Sequence, residues 1–234
     1  MANVDALQGP TLGPASGKAP TAAVVLVHGY GASGDDLIGL APFFSQALPN
    51  AIFYSPNAPD PWEGGVGGGR QWYSLAGFDP QAIQTDPLRM GETFRAMNER
   101  VVKAAVRLDL FIDQIIAVHD LAPARIAFLG FSQGTIMSLH VGLRRSQQIG
   151  AILGFSGALS AADKLAGEIK SKPPVALVHG AADPVIPARA TIETEKVLKE
   201  NGVPCQSMII PGLQHGIDNA GAQFGTTFLK SHLA

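Results

Sequence analysis

The sequence predicts an α/β fold built on a mostly parallel central sheet with helices on both faces. Short apolar runs without period-two alternation recur along the chain, which is how strands buried on both sides read. Longer stretches with apolar residues at three- and four-residue steps lie between them, the pattern of amphipathic helices. Strand and helix alternate throughout, and no repeat, heptad or linker interrupts them. A single domain over residues 1–234, with its core at about 20–234, is therefore expected.

The apolar runs fall at residues 23–27, 51–54, 125–129, 150–155, 175–178 and 207–210, and most are rich in Val and Ile. The clearest helix covers about 93–117, where Phe94, Met97, Val101, Ala104, Ala105, Leu108, Phe111, Ile112 and Ile115 make one stripe. Shorter helices are expected at 133–145 and 191–200, the second closed by Gly202 and Pro204, and the last at 220–232. Residues 59–81, PDPWEGGVGGGRQWYSLAGFDPQ, break the pattern. They are dense in Gly and Pro yet carry Trp62, Trp72, Tyr73 and Phe78. Such a loop either lines something apolar or folds on its own aromatics at the surface.

Composition removes several classes of function. The chain has 234 residues, 46% hydrophobic and 15% charged, with a net charge of -2 and no tract of Lys and Arg, which argues against nucleic acid. No apolar run approaches the roughly 20 residues of a membrane helix. Residues 1–20 lack the basic and apolar regions of a secretory signal, and the one cysteine, Cys205, leaves no intrachain disulfide. A cytoplasmic protein is expected.

GFSQG at residues 130–134 matches G-x-S-x-G. With Gly at 27 of 234 positions the match alone is weak, so its context decides. ARIAFL before it reads as a buried strand, and QGTIMSLHVGLRR after it reads as a helix. That strand–turn–helix order is what a nucleophile elbow requires. Small residues at 130 and 134 let strand and helix approach, and Ser132 is pushed out of the sheet edge at a helix N-terminus that favours developing negative charge. GFSGA at 154–158 repeats the first three letters but has Ala158 where the motif needs Gly, so Ser156 reads as structural.

A serine hydroxyl needs a base, and the base needs an acid that fixes its tautomer. In this chain order the acid and then the histidine follow the serine, each after a later strand. His140 and His232 fall inside helices, and His179 ends a strand that leaves no earlier one for the acid. His215, after the 207–210 strand and a Pro-Gly turn, has both position and order. Asp183, in VALVHGAADPVIP, is the matching acid, and its Asp-Pro step also marks a turn. Two backbone N–H groups should form an oxyanion hole, one from Gln133 and one from Tyr30 in VVLVHGYGASGDD. Neither H-E-x-x-H nor Cys/His spacing suggests a metal, and GGVGGGR lacks the P-loop pattern.

Six ordered blocks, LVHGYGASGDDL, RQWYSL, LGFSQGTIMSLH, GFSGAL, VHGAADPVIP and GLQHGI, run from about residue 22 to 217. Together they resemble the phospholipase/carboxylesterase family of small α/β-hydrolases, which includes bacterial carboxylesterases and acyl-protein thioesterases. The resemblance implies an α/β-hydrolase fold without a large cap domain and chemistry without a cofactor. It puts the triad at Ser132, Asp183 and His215 and the oxyanion donors at Tyr30 and Gln133. It also implies that Trp72 and Tyr73 supply apolar contact in the substrate pocket. Thioesterase-like members usually carry an acidic residue after the aromatic pair, where this chain has Ser74. The expected activity is a carboxylesterase on short to medium acyl esters, small or lipid-like. Lysophospholipase or thioesterase work on the same triad, and a silent hydrolase-fold binding protein, are the alternatives. Family members can form homodimers, and nothing in the sequence decides this for the present chain.

Overall fold

A computed structural model describes residues 7–65 and 67–234. The chain opens with β1 (Thr11–Leu12), β2 (Ala22–Val27), α1 (Gly34–Ile38), α2 (Ala41–Ser45) and β3 (Ala51–Tyr54). A small hairpin of β4 (Asp60–Pro61) and β5 (Arg70–Gln71) follows, then α3 (Pro80–Thr85) and the long α4 (Pro87–His119). The second half alternates strictly. It runs β6 (Ile126–Phe131), α5 (Gln133–Arg144), β7 (Ala151–Phe155), α6 (Leu165–Glu168), β8 (Val175–Gly180), α7 (Arg189–Glu200), β9 (Cys205–Ile210) and α8 (Asn219–Leu233).

Seven strands form one sheet in the order β1-β3-β2-β6-β7-β8-β9. Only the β1–β3 pair is antiparallel. Successive strand residues feed opposite faces, as the pleat demands. In β2, Ala23, Val25 and Val27 join a core with α4, α5 and α7, while Ala22, Val24 and Leu26 join a second core with Leu37, Phe44, Phe228 and Leu229. A sheet covered on both sides explains why its strands read as unbroken apolar runs. All six predicted strands are present, with ends moved by one or two residues.

Six pieces of the N-terminal half were not anticipated: β1, α1, α2, the β4–β5 hairpin, α3, and the first turns of α4. The last two carry a local signal. Asp79 and Asp86 each precede a proline, and each side chain accepts hydrogen bonds from the two N–H groups that open its helix, Gln81 and Ala82 for one, Leu88 and Arg89 for the other. Proline at the first helical position wastes no donor. The Asp-Pro pair therefore starts a helix in both places. At the far end of α4, Asp120 adopts the left-handed conformation (φ 52°) that closes a helix.

Candidate active site

The parallel strands β2, β6, β8 and β9 all end at one edge of the sheet, and the expected site residues lie on the turns that leave them. Ser132 sits between β6 and α5 with φ 53° and ψ -115°, a conformation that costs a non-glycine residue about 1–3 kcal/mol. Its N–H donates to Phe155 O at 2.8 Å, and its carbonyl accepts from Thr135 N–H at 3.0 Å, so neighbouring strand and helix hold the strain. A Cβ on Gly130 would stand 2.6 Å from Gly134 O and Thr135 N, and one on Gly134 would run into Val27 O. The flanking glycines are thus a steric requirement of the turn.

Ser156 repeats the backbone trick at the end of β7, with φ 51°. Its side chain is buried and Oγ has no partner among the described residues. It is an elbow without an exposed hydroxyl.

Asp183 divides its carboxylate between fold and site. Oδ1 accepts from Val185 N–H at 2.8 Å and Ile186 N–H at 3.0 Å, the same Asp-Pro geometry that opens α3 and α4. Oδ2 lies 2.7 Å from His215 Nδ1 and 3.1 Å from His179 Nε2. Burial alone would raise this carboxyl. The bonds from His179, His215 and Ile186 N–H outweigh it and hold the group well below the usual carboxylate range. Ionised, Asp183 only accepts, so Nδ1 of His215 carries a proton, and in the neutral ring Nε2 is the nitrogen free to accept one. His215 also lies against Phe131, ring centroids 4.9 Å apart. Among the described residues Nε2 has no hydrogen bond, so the link to Ser132 is open here, a contact that commonly tightens only with substrate bound. The loops of Asp183 and His215 are laced together by Ala182 N–H to Leu213 O at 2.9 Å, and Gln84 of α3 donates to Asp183 O at 2.8 Å.

The N–H groups of Tyr30 and Gln133 take no partner among the described residues. Tyr30 is held from both sides. Gly31 N–H donates to Arg70 O at 2.9 Å, Arg70 N–H donates to Ala32 O at 2.8 Å, and the Tyr30 hydroxyl donates to Glu63 at 3.0 Å. Glu63 Oε1 also accepts from the Ser74 hydroxyl at 3.0 Å and Leu75 N–H at 2.9 Å. A carboxylate thus meets position 74 from earlier in the same 59–81 segment.

Trp72 and Tyr73 do not line an open surface in this structure. They are 1% and 3% exposed and belong to the core cluster that holds Ile83, Met90 and Phe94. The Trp72 indole is spent on His28 O. Their place is behind the loop that carries Tyr30. Leu75 and Phe78, later in the same loop, keep partial exposure.

Sequence reasoning passed over three side chains. His28 and His179 are fully buried and hydrogen-bonded on both ring nitrogens, and the Gln133 amide bonds the backbone on either side of the Trp72–Tyr73 peptide link. The twice-used LVHG was the signal available. Each copy ends a strand at the site edge, and each histidine braces the loop that follows.

A cavity of about 770 Å³ is polar, lined by Asp35, Asp36, Arg70 and Arg107 among others, and none of Ser132, Asp183 and His215 lines it. An apolar cavity of about 210 Å³ is lined by Met90, Phe94, Ala158, Leu159, Ala190 and Val197. The loop that carries Ala158 and Leu159 starts at Gly157, where a Cβ would stand 3.0 Å from Ser132 O. Among the described residues no cluster of His, Cys, Asp or Glu could hold a metal ion, and no helix is long and apolar enough to cross a membrane.

Comparison with known proteins agrees with this architecture. The profile described as Phospholipase/Carboxylesterase matches residues 14–233. The crystal structure of esterase PE8 superposes with a TM-score of 0.86 at 36% identity, covering 98% of this chain and all (100%) of that one. Acyl-protein thioesterase 1 of Neurospora crassa is 29% identical over 88% of this chain and 84% of its own length. Esterase YpfH of Escherichia coli is 24% identical over 88% of this chain and 81% of its own.

Proposed function

The chain belongs to the phospholipase/carboxylesterase family and is an ester hydrolase of it, and from that premise we propose that it cleaves short to medium acyl esters through a serine acyl-enzyme. The observation that carries the proposal is the 2.7 Å bond from His215 Nδ1 to a buried, ionised Asp183, with His215 packed against Phe131, the neighbour of a strained Ser132. In this reading Ser132 Oγ attacks the ester carbonyl while His215 Nε2 takes its proton. Tyr30 and Gln133 N–H groups receive the oxyanion. The C–O bond to the alcohol breaks as His215 returns the proton to it. Water, deprotonated by the same imidazole, then releases the acid and restores Ser132.

The size of the apolar cavity supports the chain-length assignment. At about 210 Å³ it is below the ~300–1,000 Å³ of ordinary ligand pockets, which favours short acyl groups. A cytoplasmic site of action is part of the same proposal, supported by the lone cysteine and the lack of a membrane-spanning helix among the described residues.

Wild-type protein should label with a fluorophosphonate probe and turn over p-nitrophenyl esters, and Ser132→Ala should do neither. Equal hydrolysis by Ser132→Ala would refute the site. Across acyl lengths of two to sixteen carbons, kcat/KM should peak at the short end. A peak at sixteen carbons or on a thioester would move the assignment to lysophospholipase or thioesterase. Tight binding without turnover would mark a silent binding protein.

A further inference from the structure

A single buried chain of hydrogen bonds joins the two proposed oxyanion donors. Tyr30 N–H belongs to the Gly29–Tyr30 peptide, whose carbonyl lies 2.7 Å from His28 Nδ1. Ala58 N–H donates to His28 Nε2 at 3.0 Å, and since an amide N–H only donates, the ring proton must sit on Nδ1. Nδ1–H therefore bonds Gly29 O and fixes the tilt of the peptide that presents Tyr30 N–H. Burial lowers the pKa of His28, so the ring stays neutral and the tautomer holds at neutral pH.

From His28 the chain continues to the far side. His28 O accepts from Trp72 Nε1–H at 3.0 Å. Trp72 N–H donates to Gln133 Oε1 at 2.8 Å, and Gln133 Nε2 donates to Tyr73 O at 2.8 Å. The backbone N–H of that same Gln133 is the second donor. The linking residues His28, Trp72, Gln133 and Tyr73 are all buried, none more than 3% exposed. Nothing else in the described structure is needed to connect one donor to the other.

An oxyanion hole accelerates a reaction only when its donors are already set where charge develops, and a 1 Å misplacement can cost roughly a hundredfold. We propose that Trp72 and Gln133 are positioning residues, a clamp that sets the separation of Tyr30 N–H and Gln133 N–H. The proposal rests on the serine-esterase reading above and extends it to side chains that do not touch the ester. The clamp also explains why the aromatic pair faces inward.

The test is a kcat-against-KM split. Trp72→Phe removes the indole N–H, and Gln133→Met removes both amide bonds but keeps the backbone donor. With p-nitrophenyl butyrate each should lose about 10- to 100-fold in kcat with KM changed less than about threefold. The Ki of a trifluoromethyl ketone, which forms a tetrahedral oxyanion on the serine, should rise in step with the loss. Because the two act as one unit, the double variant should lose no more than about threefold beyond the worse single variant. Replacing Trp72 with 3-benzothienylalanine, which swaps the N–H for sulfur at nearly constant shape, gives the same readout if Trp72→Phe fails to fold. Wild-type kcat and Ki in a folded Trp72 variant, losses confined to KM, or losses that multiply in the double variant would each overturn the clamp. Ser132→Ala, run alongside, separates the two levels. If it is inactive, such results sink the clamp alone, and if it is active, the parent reading falls with it.

Discussion

Replacing Asp183 with asparagine should invert the tautomer of His215, and the geometry dictates the direction. Oδ1 faces two backbone donors, Val185 N–H at 2.8 Å and Ile186 N–H at 3.0 Å. Neither can accept, so the asparagine carbonyl must take that side and its NH2 must take the place of Oδ2. The amide then donates to His215 Nδ1, which in the wild type donates to Oδ2 at 2.7 Å. His215 is forced to carry its proton on Nε2, where it cannot take one from Ser132. Acid-to-amide changes of this kind cost about 10⁴ in kcat, or about 5 kcal/mol of transition-state stabilisation. The turn made by Oδ1 survives, and His179 Nε2 keeps Ile186 O at 2.9 Å, so the protein should still fold. Steady-state hydrolysis of a p-nitrophenyl ester gives the rate, and ¹⁵N spectra of His215 give the tautomer. More than a tenth of wild-type kcat, or a proton still on Nδ1, would refute the reasoning.

Two further expectations concern stability. His140 is buried on α5, and burial, helped by Arg144 and opposed by Glu168, brings its pKa down from 6.5 to about 4. The unfolded chain therefore binds a proton that the folded one refuses. Stability from this group is complete above about 6.5 and falls as pH drops toward 4, by on the order of 3 kcal/mol. Urea unfolding from pH 7 to 4 should show that decline, reduced in His140→Leu, and parallel curves would contradict it. Gly134→Ala places a methyl group against Val27 O, and its relief requires the elbow to move. A cost of about 3 kcal/mol or more should lower Tm by roughly 6–12 °C or prevent soluble expression, and a Tm within a degree of wild type would show that the helix can shift freely.

The legible parts of this molecule are those set by local rules. G-x-S-x-G in its strand–turn–helix setting located the strained turn, because only a tight crossing needs glycine at both 130 and 134. Chain order found Asp183 and His215, which the structure brings to 2.7 Å. The Asp-Pro turn takes one carboxylate oxygen of Asp183, and His215 meets the other. What stayed hidden depends on contacts distant in sequence. The family resemblance implies a pocket role for Trp72, whereas its hydrogen-bond partners here are His28 and Gln133, 44 and 61 positions away. His179 looked idle because no motif says that a histidine four residues before the acid will share its oxygen. The short α3 was visible in Asp79-Pro80 but was absorbed into the surrounding loop.

The order of the strands has a consequence for the newborn chain. Across the sheet β2, β6, β7, β8 and β9 stand side by side in the order in which they are made. Ser132 leaves the ribosome with β6, Asp183 after β8, and His215 only after β9. On the proposed triad, a chain that stops short of β9 would hold the serine without its base. Reactivity would then arrive with the last strand of the sheet, and a half-made molecule would be chemically mute.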